Sequence, residues 1–321
     1  MVRLSRRTRQ KEPIVDHVPA SDAAEPAWAA PAVPTAGAAP DGTRMDTVEL
    51  LVSDLDAMTE FYRRAVTLDV LDQAGPTATL GRGGVASIVL RQEKDLPGRD
   101  SRGAGLYHTA IVFQDQARLA AALASMAQHA GRLYEGSADH LVSEAFYFRD
   151  PEGNGLELYR DRPRDQWTIH PDGTVQMASE ALDPNQFLQR WYDPEVVENG
   201  TDATAAIGHV HLQVGDIPTA RRFYEGILGF DVTADLGSAL FLSAGGYHHH
   251  LGMNTWHSAG AGPRAATLGL GDVRILVPMR DDVEGFAARL RDHGIAAADD
   301  GRVVRFSDPW GTRLAITPER A

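Results

Sequence analysis

The sequence predicts an α+β fold built from four βαβββ modules. One observation is an internal repeat, because residues 48–70 match residues 210–232 without a gap. A second repeat relates the stretch that begins at Tyr107 to the stretch that begins at Asp272. In both repeats the apolar pattern changes from a period of two to helical spacing, which predicts a strand followed by a helix. The modules cover approximately residues 45–95, 105–162, 207–256 and 267–317.

The first and third modules share a strand, a turn and a helix. Val48 and Val210 begin alternating stretches, and Asp54 and Asp216 stand where a helix N-cap is expected. In the third module, helical spacing relates Ile217, Ala220, Phe223, Tyr224 and Ile227. Further strands are predicted at residues 78–80 and 86–90 of the first module, and at 239–243 and 248–253 of the third.

The second and fourth modules open with strands at residues 108–113 and 273–277 and continue into helices. Each then closes with a turn and a last strand. The turns read Asp150-Pro151-Glu152-Gly153-Asn154 and Asp308-Pro309-Trp310-Gly311, and the last strands are expected at 156–159 and 313–316. Proline and glycine at these places favour tight turns.

The modules group along the chain into two predicted domains, residues 45–162 and 207–318. The connecting stretch, residues 163–206, contains four prolines, and we expect some helix near residues 184–191. Residues 1–44 begin with four arginines within the first nine positions and then become rich in alanine and proline. This composition is typical of a disordered tail, and without an apolar stretch after the arginines we expect no secretory signal.

The composition argues against several classes of protein. A net charge of −13 argues against general binding to nucleic acid or to an anionic membrane. The absence of cysteine excludes disulfides, thiolate zinc sites and cysteine nucleophiles, so a metal would need His, Asp or Glu ligands. No apolar run approaches the length of a membrane-spanning helix. We therefore expect a cytoplasmic protein.

The motifs resemble the vicinal oxygen chelate superfamily, which includes glyoxalases, bleomycin resistance proteins and extradiol dioxygenases. The superfamily signature is Asp-Pro-Glu-Gly-Asn-Gly-Leu-Glu at residues 150–157. A narrower resemblance to catechol-2,3-dioxygenase-like proteins rests on Gly105-Leu106-Tyr107-His108, Asp161-Arg162-Pro163-Arg164, Gly208-His209-Val210-His211 and Ala244-Gly245-Gly246-Tyr247-His248-His249-His250. The resemblance implies two open half-barrel sheets with helices outside, one of them around a metal ion.

The resemblance also implies a ligand set. Superfamily ligands come from the first and last strands of a module, and those positions hold His108, Glu157 and His209 in the second and third modules. The first and fourth modules have Thr47, Asp272 and Ala315 there. We therefore expect modules two and three to pair, and one and four to pair, unless another chain supplies a module. Two histidines and one carboxylate suit Fe(II), with Mn(II) as a possible replacement.

Further residues are assigned by the same resemblance. His248 is expected to act as an acid and base, and His250 to support it, since strand alternation would put both on one face and His249 on the other. Tyr147 and His140 are expected to face the substrate, and Tyr159 to share the inward face of Glu157. Packing explains His250, Tyr147 and His140 equally well, and His211 could be either a neighbour of the metal site or a core residue.

The implied activity is extradiol cleavage of catechol or a related aromatic diol by O₂, in a chain that we expect to form a homo-oligomer. One alternative is an isomerase or lyase of the glyoxalase type, for which His250 would be the fourth ligand. The other alternative is a binding or resistance protein without catalysis, since such proteins commonly lose their ligands.

Overall fold

The computed structural model describes residues 37–199 and 204–319. Most of the predicted tail, residues 1–44, therefore lies outside the described residues. Seventeen strands and six α-helices occur in the part that is described, which confirms the α+β class. Over the same residues, no helix combines the length and the apolar character needed to cross a membrane.

The elements follow one another as strand, helix and strands in each module. The first module contains β1 Arg44–Val52, α1 Leu55–Arg64, β2 Asp69–Ala74, β3 Thr77–Arg82 and β4 Val85–Gln92. The second contains β5 Gly105–Phe113, α2 Gln116–Ala130, β6 Tyr134–Asp139, β7 Ser143–Arg149 and β8 Gly155–Asp161. The connection contains β9 Glu180–Ala181, α3 Pro184–Trp191 and α4 Pro194–Asn199.

The second half of the chain repeats this order. The third module contains β10 Ala205–Gln213, α5 Ile217–Arg221 with a π-helical continuation Arg222–Ile227, β11 Asp231–Asp235, β12 Ala239–Ser243 and β13 Leu251–Asn254. The fourth contains β14 Gly269–Val277, α6 Arg280–Asp292, β15 Ala297–Asp299, β16 Val304–Ser307 and β17 Arg313–Pro318. The helix expected in the connection is confirmed as α3.

The modules pair through their first strands. Strand β5 of the second module runs antiparallel to β10 of the third, and β1 of the first runs antiparallel to β14 of the fourth. Each first strand also lies parallel to the last strand of its own module, as in the pairs β5–β8 and β10–β13. The result is two open half-barrels, with modules two and three in one and modules one and four in the other. The division of the chain into domains at residues 163–206 stays a prediction.

The repeated Phe-Tyr and Asp-Pro motifs tie consecutive modules together. The hydroxyl of Tyr62 in α1 donates a hydrogen bond of 3.2 Å to Asp150 in the turn before β8. Tyr224 in the third module donates one of 2.9 Å to Asp308 in the turn before β17. All four residues are buried, so each hydrogen bond fixes a helix of one module to the last turn of the next.

The predicted helix caps are confirmed. Asp54 accepts a hydrogen bond from the backbone N–H of Ala57, and Asp216 accepts one from Thr219. These contacts satisfy backbone donors that would otherwise lack a partner at the first turn. The aspartates of the repeat are therefore structural residues that fix where each helix begins.

Candidate metal centre

The pairing of three strands brings His108, Glu157 and His209 to one place. Ala110 in β5 is the neighbour of Glu157 in β8 and also the neighbour of His209 in β10. His108 lies two residues before Ala110 and therefore shares its face of the sheet. Because Ala110 carries only a methyl group, the three larger side chains can meet above it.

Their candidate donor atoms converge. Glu157 Oε2 lies 3.0 Å from His108 Nε2 and 3.2 Å from His209 Nε2. One donor atom from each residue lies within 4.8 Å of the other two. All three residues are buried, with Glu157 only 2% exposed. Two imidazole nitrogens and one carboxylate oxygen form a donor set that first-row divalent ions accept.

The charge balance of this group also fits a cation. Glu157 has no arginine or lysine partner among the described residues. Burial alone would raise the pKa of Glu157, but the imidazoles of His209 and His108 outweigh burial and hold that pKa well below its usual value. A buried carboxylate is costly without a positive partner, so a divalent ion between the same three groups would stabilise it further.

A cavity of about 440 Å³ opens over these three residues. Tyr147, His140, His211 and His249 form its polar wall near the candidate donors. Its apolar wall includes Val142, Val175, Met177, Leu236, Phe241 and Trp256. No lysine or arginine lines it among the residues described, so the cavity suits a small, largely apolar molecule with polar groups at one end.

Tyr147 and His140, both predicted to face the substrate, lie in this cavity and contact each other. Tyr147 in β7 is the cross-strand neighbour of Glu157. Its hydroxyl lies 2.7 Å from His140 Nε2, while His140 Nδ1 lies 2.6 Å from the carbonyl oxygen of Ala178. Since a carbonyl can only accept, Nδ1 carries the proton and the hydroxyl of Tyr147 donates to Nε2.

The histidine run differs from the prediction. Strand β13 begins at Leu251, so His248, His249 and His250 lie in the loop before it, and the strand predicted at residues 248–253 begins too early. His248 and His250 both contact the ring of Tyr247, so they share a side as predicted, but that side does not face the cavity. His249 lines the cavity, and its ring centroid lies 4.1 Å from that of His209. His248 and His250 are buried and do not line the cavity.

His248 links His249 to a carboxylate. His248 Nε2 lies 2.7 Å from Asp161 Oδ1, and His248 Nδ1 lies 2.8 Å from His249 Nδ1. The carboxylate accepts from Nε2, so a neutral His248 accepts at Nδ1 from His249. Burial, and then the surrounding imidazoles, lower the pKa of His249 well below its usual value, which keeps its ring neutral. His249 is thereby left with an unprotonated Nε2.

Two tyrosines complete this network. Tyr247 donates a hydrogen bond of 2.7 Å to Asp161, and the hydroxyl of Tyr159 lies 2.8 Å from that of Tyr247. Tyr159 is fully buried with its ring 4.8 Å from that of His209, so the prediction that it faces inward is confirmed. A Cβ on Gly208 would lie 1.7 Å from the Tyr159 hydroxyl, so the glycine before His209 makes room for this tyrosine.

His250 occupies a different place. Its Nδ1 lies 3.3 Å from the backbone nitrogen of Ala244 and 3.4 Å from Ser243 Oγ, where β12 ends and the loop before β13 begins. Ala110 and His211 occupy matching positions, two residues after His108 and His209. Ala110 pairs with Glu157 in the second module, and His211 pairs with Gly252 in the third, so Gly252 stands at the position equivalent to Glu157. Among the described residues, the last strand of the third module therefore offers no fourth donor at that register position.

Sequence reasoning missed Asp161, Tyr247 and His249 as parts of the site. Asp161 stands within a quoted motif, but nothing in its spacing indicates that β8 would bring it to His248. The sequence does not decide between the two roles of His211, and the structure places this residue at the cavity, with its ring centroid 5.0 Å from that of His108. These contacts depend on the pairing of modules two and three, which local sequence patterns do not contain.

The other half-barrel contains no comparable group of donors within the residues described. Glu49 in β1 forms ion pairs of 3.0 Å with Arg91 and 3.3 Å with Arg313. Thr47 is buried and Ala315 lies in the sheet opposite Arg274. Ion pairs thus occupy the face that holds imidazoles and a carboxylate in the first half-barrel.

Comparison with known proteins agrees with this architecture. The chain matches the Glyoxalase/Bleomycin resistance protein/Dioxygenase superfamily over residues 44–158 and 206–316. It is 34% identical over 276 residues to a protein of Bacillus subtilis (strain 168) named catechol-2,3-dioxygenase, a stretch that covers 84% of this chain and 95% of the relative.

Solved structures share the fold. One is a putative dioxygenase from Bacillus subtilis subsp. subtilis str. 168, with a TM-score of 0.58, 14% identity, and coverage of 86% of this chain and 85% of that one. Another is glyoxalase I from Zea mays, with a TM-score of 0.52, 17% identity, and coverage of 86% and 92%. At these identities the likeness concerns the fold alone.

Proposed function

The chain belongs to the Glyoxalase/Bleomycin resistance protein/Dioxygenase superfamily, and we propose that it is a metal-dependent extradiol dioxygenase. Its substrates would be catechol, or a related aromatic diol, and O₂. The relative named catechol-2,3-dioxygenase supports an enzyme of this kind, because the similarity extends over most of both chains. Cytoplasmic location and assembly into a homo-oligomer stay predictions.

The observation that carries the proposal is the convergence of His108 Nε2, His209 Nε2 and Glu157 Oε2 under the 440 Å³ cavity. We propose these three as the ligands of Fe(II), with Mn(II) as the alternative ion. Held by three protein ligands, such an ion would be able to bind a diol and O₂ as well, and would make the bound hydroxyls lose protons more readily. The glycine at position 252 favours this arrangement over one with four protein ligands.

Tyr147 and His140 would handle the substrate from one side. The tyrosine hydroxyl donates to His140, so a diol oxygen could in turn donate to the tyrosine oxygen and pass a proton toward His140 Nε2. The carbonyl of Ala178 would stabilise the protonated ring through Nδ1. We assign proton acceptance to His140 and substrate orientation to Tyr147.

His249 would act from the other side, with His248 behind it. The contacts Asp161–His248 and His248–His249 hold the proton of His249 on Nδ1, so its Nε2 can accept a hydrogen bond from a molecule in the cavity. We retain His248 as necessary for turnover, acting as a positioning residue through His249. For His250 the contacts with Ser243 and Ala244 support a role in holding the loop.

The test is anaerobic loading with Fe(II), followed by catechol and a measured amount of oxygen. We expect one O₂ consumed per catechol and a yellow ring-opened product. Metal binding with turnover of a glyoxalase substrate and without oxygen uptake would favour the isomerase or lyase alternative. Failure to bind any divalent ion would favour the binding or resistance protein.

A further inference from the structure

A second cavity, of about 370 Å³, lies between the loop before β5 and the loop before β14. It shares no lining residue with the cavity over the candidate metal centre. Its charged lining residues are Arg99, Arg102, Arg264 and Asp100. This local excess of positive charge contrasts with the net charge of −13 for the whole chain.

Arg99 and Arg264 each donate a hydrogen bond to the strand that follows their own loop, and each contacts the first residue of the other strand. Arg99 Nη2 donates a hydrogen bond of 3.0 Å to the carbonyl of Leu106, while Arg264 Nη2 donates one of 2.6 Å to the carbonyl of Leu270. The Cβ of Arg99 lies 3.7 Å from the Cβ position of Gly269, and Arg264 Cζ lies 3.9 Å from that of Gly105. Both side chains therefore run past the same two Gly-Leu pairs, at the start of β5 and of β14.

Neither arginine has a carboxylate partner within residues 37–199 and 204–319. Arg99 bonds to the carbonyls of Gly153 and Leu106 and, at 3.4 Å, to the side-chain oxygen of Gln213. Among the described residues, the side chain of Arg264 hydrogen-bonds only to the carbonyl of Leu270. Asp100, the acidic residue of the lining, accepts the backbone N–H of Arg102 in its own turn.

Arg99 and Arg264 are half-buried and hydrogen-bond to neutral groups, so carboxylates compensate their charge only from beyond ion-pair distance: Asp150, Glu135 and Asp100 for Arg99, and Asp308 for Arg264. Burial lowers the pKa of Arg99 and of Arg264. Carbonyl oxygens satisfy individual N–H groups but bring no negative charge. Arg264 also keeps Nε and Nη1 without hydrogen bonds to described residues, so donors of its planar group remain available to the cavity.

We propose that this cavity binds a small oxyanion of the phosphate class between the guanidinium groups of Arg99 and Arg264. The free N–H donors of Arg264 can bond to phosphate oxygens, and Arg99, whose Nη groups bond to carbonyls, adds the second positive charge that a divalent anion needs. The exposed Arg102 adds positive charge to the lining of the cavity. The site is independent of the proposed dioxygenase reaction, since none of its residues lines the metal cavity.

The test is a titration of the full chain with inorganic phosphate at constant ionic strength, followed by ³¹P NMR. We expect saturable line broadening, with affinity at least tenfold weaker in Arg99→Gln and in Arg264→Gln. Arg264→Lys should weaken binding less than Arg264→Gln, because it keeps the charge but loses the paired donors. Circular dichroism of each variant reports whether it folds.

Arg289→Gln is the matched control. Arg289 is half-buried, donates to the carbonyl of Leu228, lacks an ion pair among described residues and lies outside this cavity. Its substitution should leave phosphate binding unchanged. If Arg289→Gln lost as much phosphate affinity as the two cavity variants, the change in net charge alone would explain the loss, and the proposal would be overturned.

A second measurement needs no variant. Phenylglyoxal modifies accessible arginines, and mass spectrometry locates the modified residues. Phosphate and sulfate should protect Arg99 and Arg264 in the wild-type chain, whereas chloride at equal ionic strength should not. If phosphate left their modification unchanged, or bound without saturation, the two arginines would only fasten the loops and the proposal would fail.

Discussion

Gly252 occupies in the third module the register position that Glu157 occupies in the second. A Cβ at Gly252 would lie 3.0 Å from Cγ of His211, so the imidazole of His211 fills the space that a side chain on β13 would need. Two modules built on one pattern therefore contribute differently to the centre, with a carboxylate from one and only a first-strand histidine from the other.

The first prediction concerns this contact. Gly252→Ala should lower the free energy of unfolding by about 1–3 kcal/mol, because the added methyl group overpacks against a buried ring. In a His211→Ala background the same substitution should cost much less. Urea unfolding of the four proteins in this cycle measures the coupling. Equal costs in both backgrounds would contradict the contact.

The second prediction concerns the ligands. Glu157→Gln should abolish the rise in melting temperature that Fe(II) or Mn(II) produces in the wild-type chain, and His108→Ala and His209→Ala should do the same. Without metal, Glu157→Gln should be less stable than the wild type at neutral pH, because the imidazoles that lower the pKa of Glu157 stabilise its charged form in the folded state. His129→Ala, in the exposed last turn of α2, is the control and should keep the metal response. A normal response in Glu157→Gln would refute the ligand set.

The third prediction concerns the link from Asp161 to His249. Asp161→Asn should reduce kcat by about 10²-fold or more, because an amide can donate to His248 and reverse the protons along the chain. His248→Phe should have a similar effect, and both variants should keep stoichiometric metal. Asp165→Asn, a nearby exposed residue, is the control. If metal were lost together with activity, the residues would be structural supports of the centre.

The fourth prediction concerns substrate charge. The lining of the metal cavity has no lysine or arginine among described residues, so kcat/KM should be at least about 10² higher for an uncharged catechol than for one with a carboxylate. Leu236→Arg, at an exposed edge of the cavity, should lower the ratio of the two kcat/KM values, because it adds a positive charge near the substrate. Val70→Arg, on β2 and outside the cavity lining, should leave the ratio unchanged. A preference for the carboxylated diol in the wild type would contradict the cavity as described.

The fifth prediction concerns the buried turn at Asp150. Burial raises the pKa of Asp150 to about 6, although hydrogen bonds from Asn154, Tyr62 and Glu152 oppose the shift. The folded state thus keeps a proton that the unfolded state releases near its ordinary pKa of about 4. The stabilising contribution is complete below that value and is lost as pH rises through about 6, a change of about 3 kcal/mol.

Asp150→Asn removes this titration. The stability of the wild type relative to this variant should therefore fall between pH 4 and pH 6.5, as chemical denaturation at a series of pH values would measure. A difference that stayed constant with pH, or that grew as pH rose, would contradict the direction of the shift.

The sequence alone predicts much of the fold, because each copy of the repeat contains local signals for its strands, helix and turns. Asp54 and Asp216 predict where the helices begin, and the Asp-Pro turns at residues 150 and 308 predict where the last strands begin. It also predicts the pairing of modules two and three, since only these hold His108, Glu157 and His209. The last strand of the third module, β13, begins at Leu251 and not at the predicted residue 248. A run of three histidines contains no turn signal that would separate the loop from the strand.

The hydrogen-bonded network of Asp161, His248 and His249 could not be predicted from the sequence for a different reason. Asp161 and His248 are far apart in the chain, and their contact follows from β5 pairing with β10 and from the path of the loop before β13. A loop with consecutive histidines can turn any of them inward, so which one faces the cavity depends on tertiary packing. Only the structure distinguishes His249 from His248 and His250.

The most direct measurement is anomalous diffraction at the iron edge from crystals loaded with Fe(II) under anaerobic conditions. We predict one peak per chain within coordination distance of His108 Nε2, His209 Nε2 and a carboxylate oxygen of Glu157, and no peak in Glu157→Gln. A peak elsewhere, or none in the wild-type chain, would contradict the assignment.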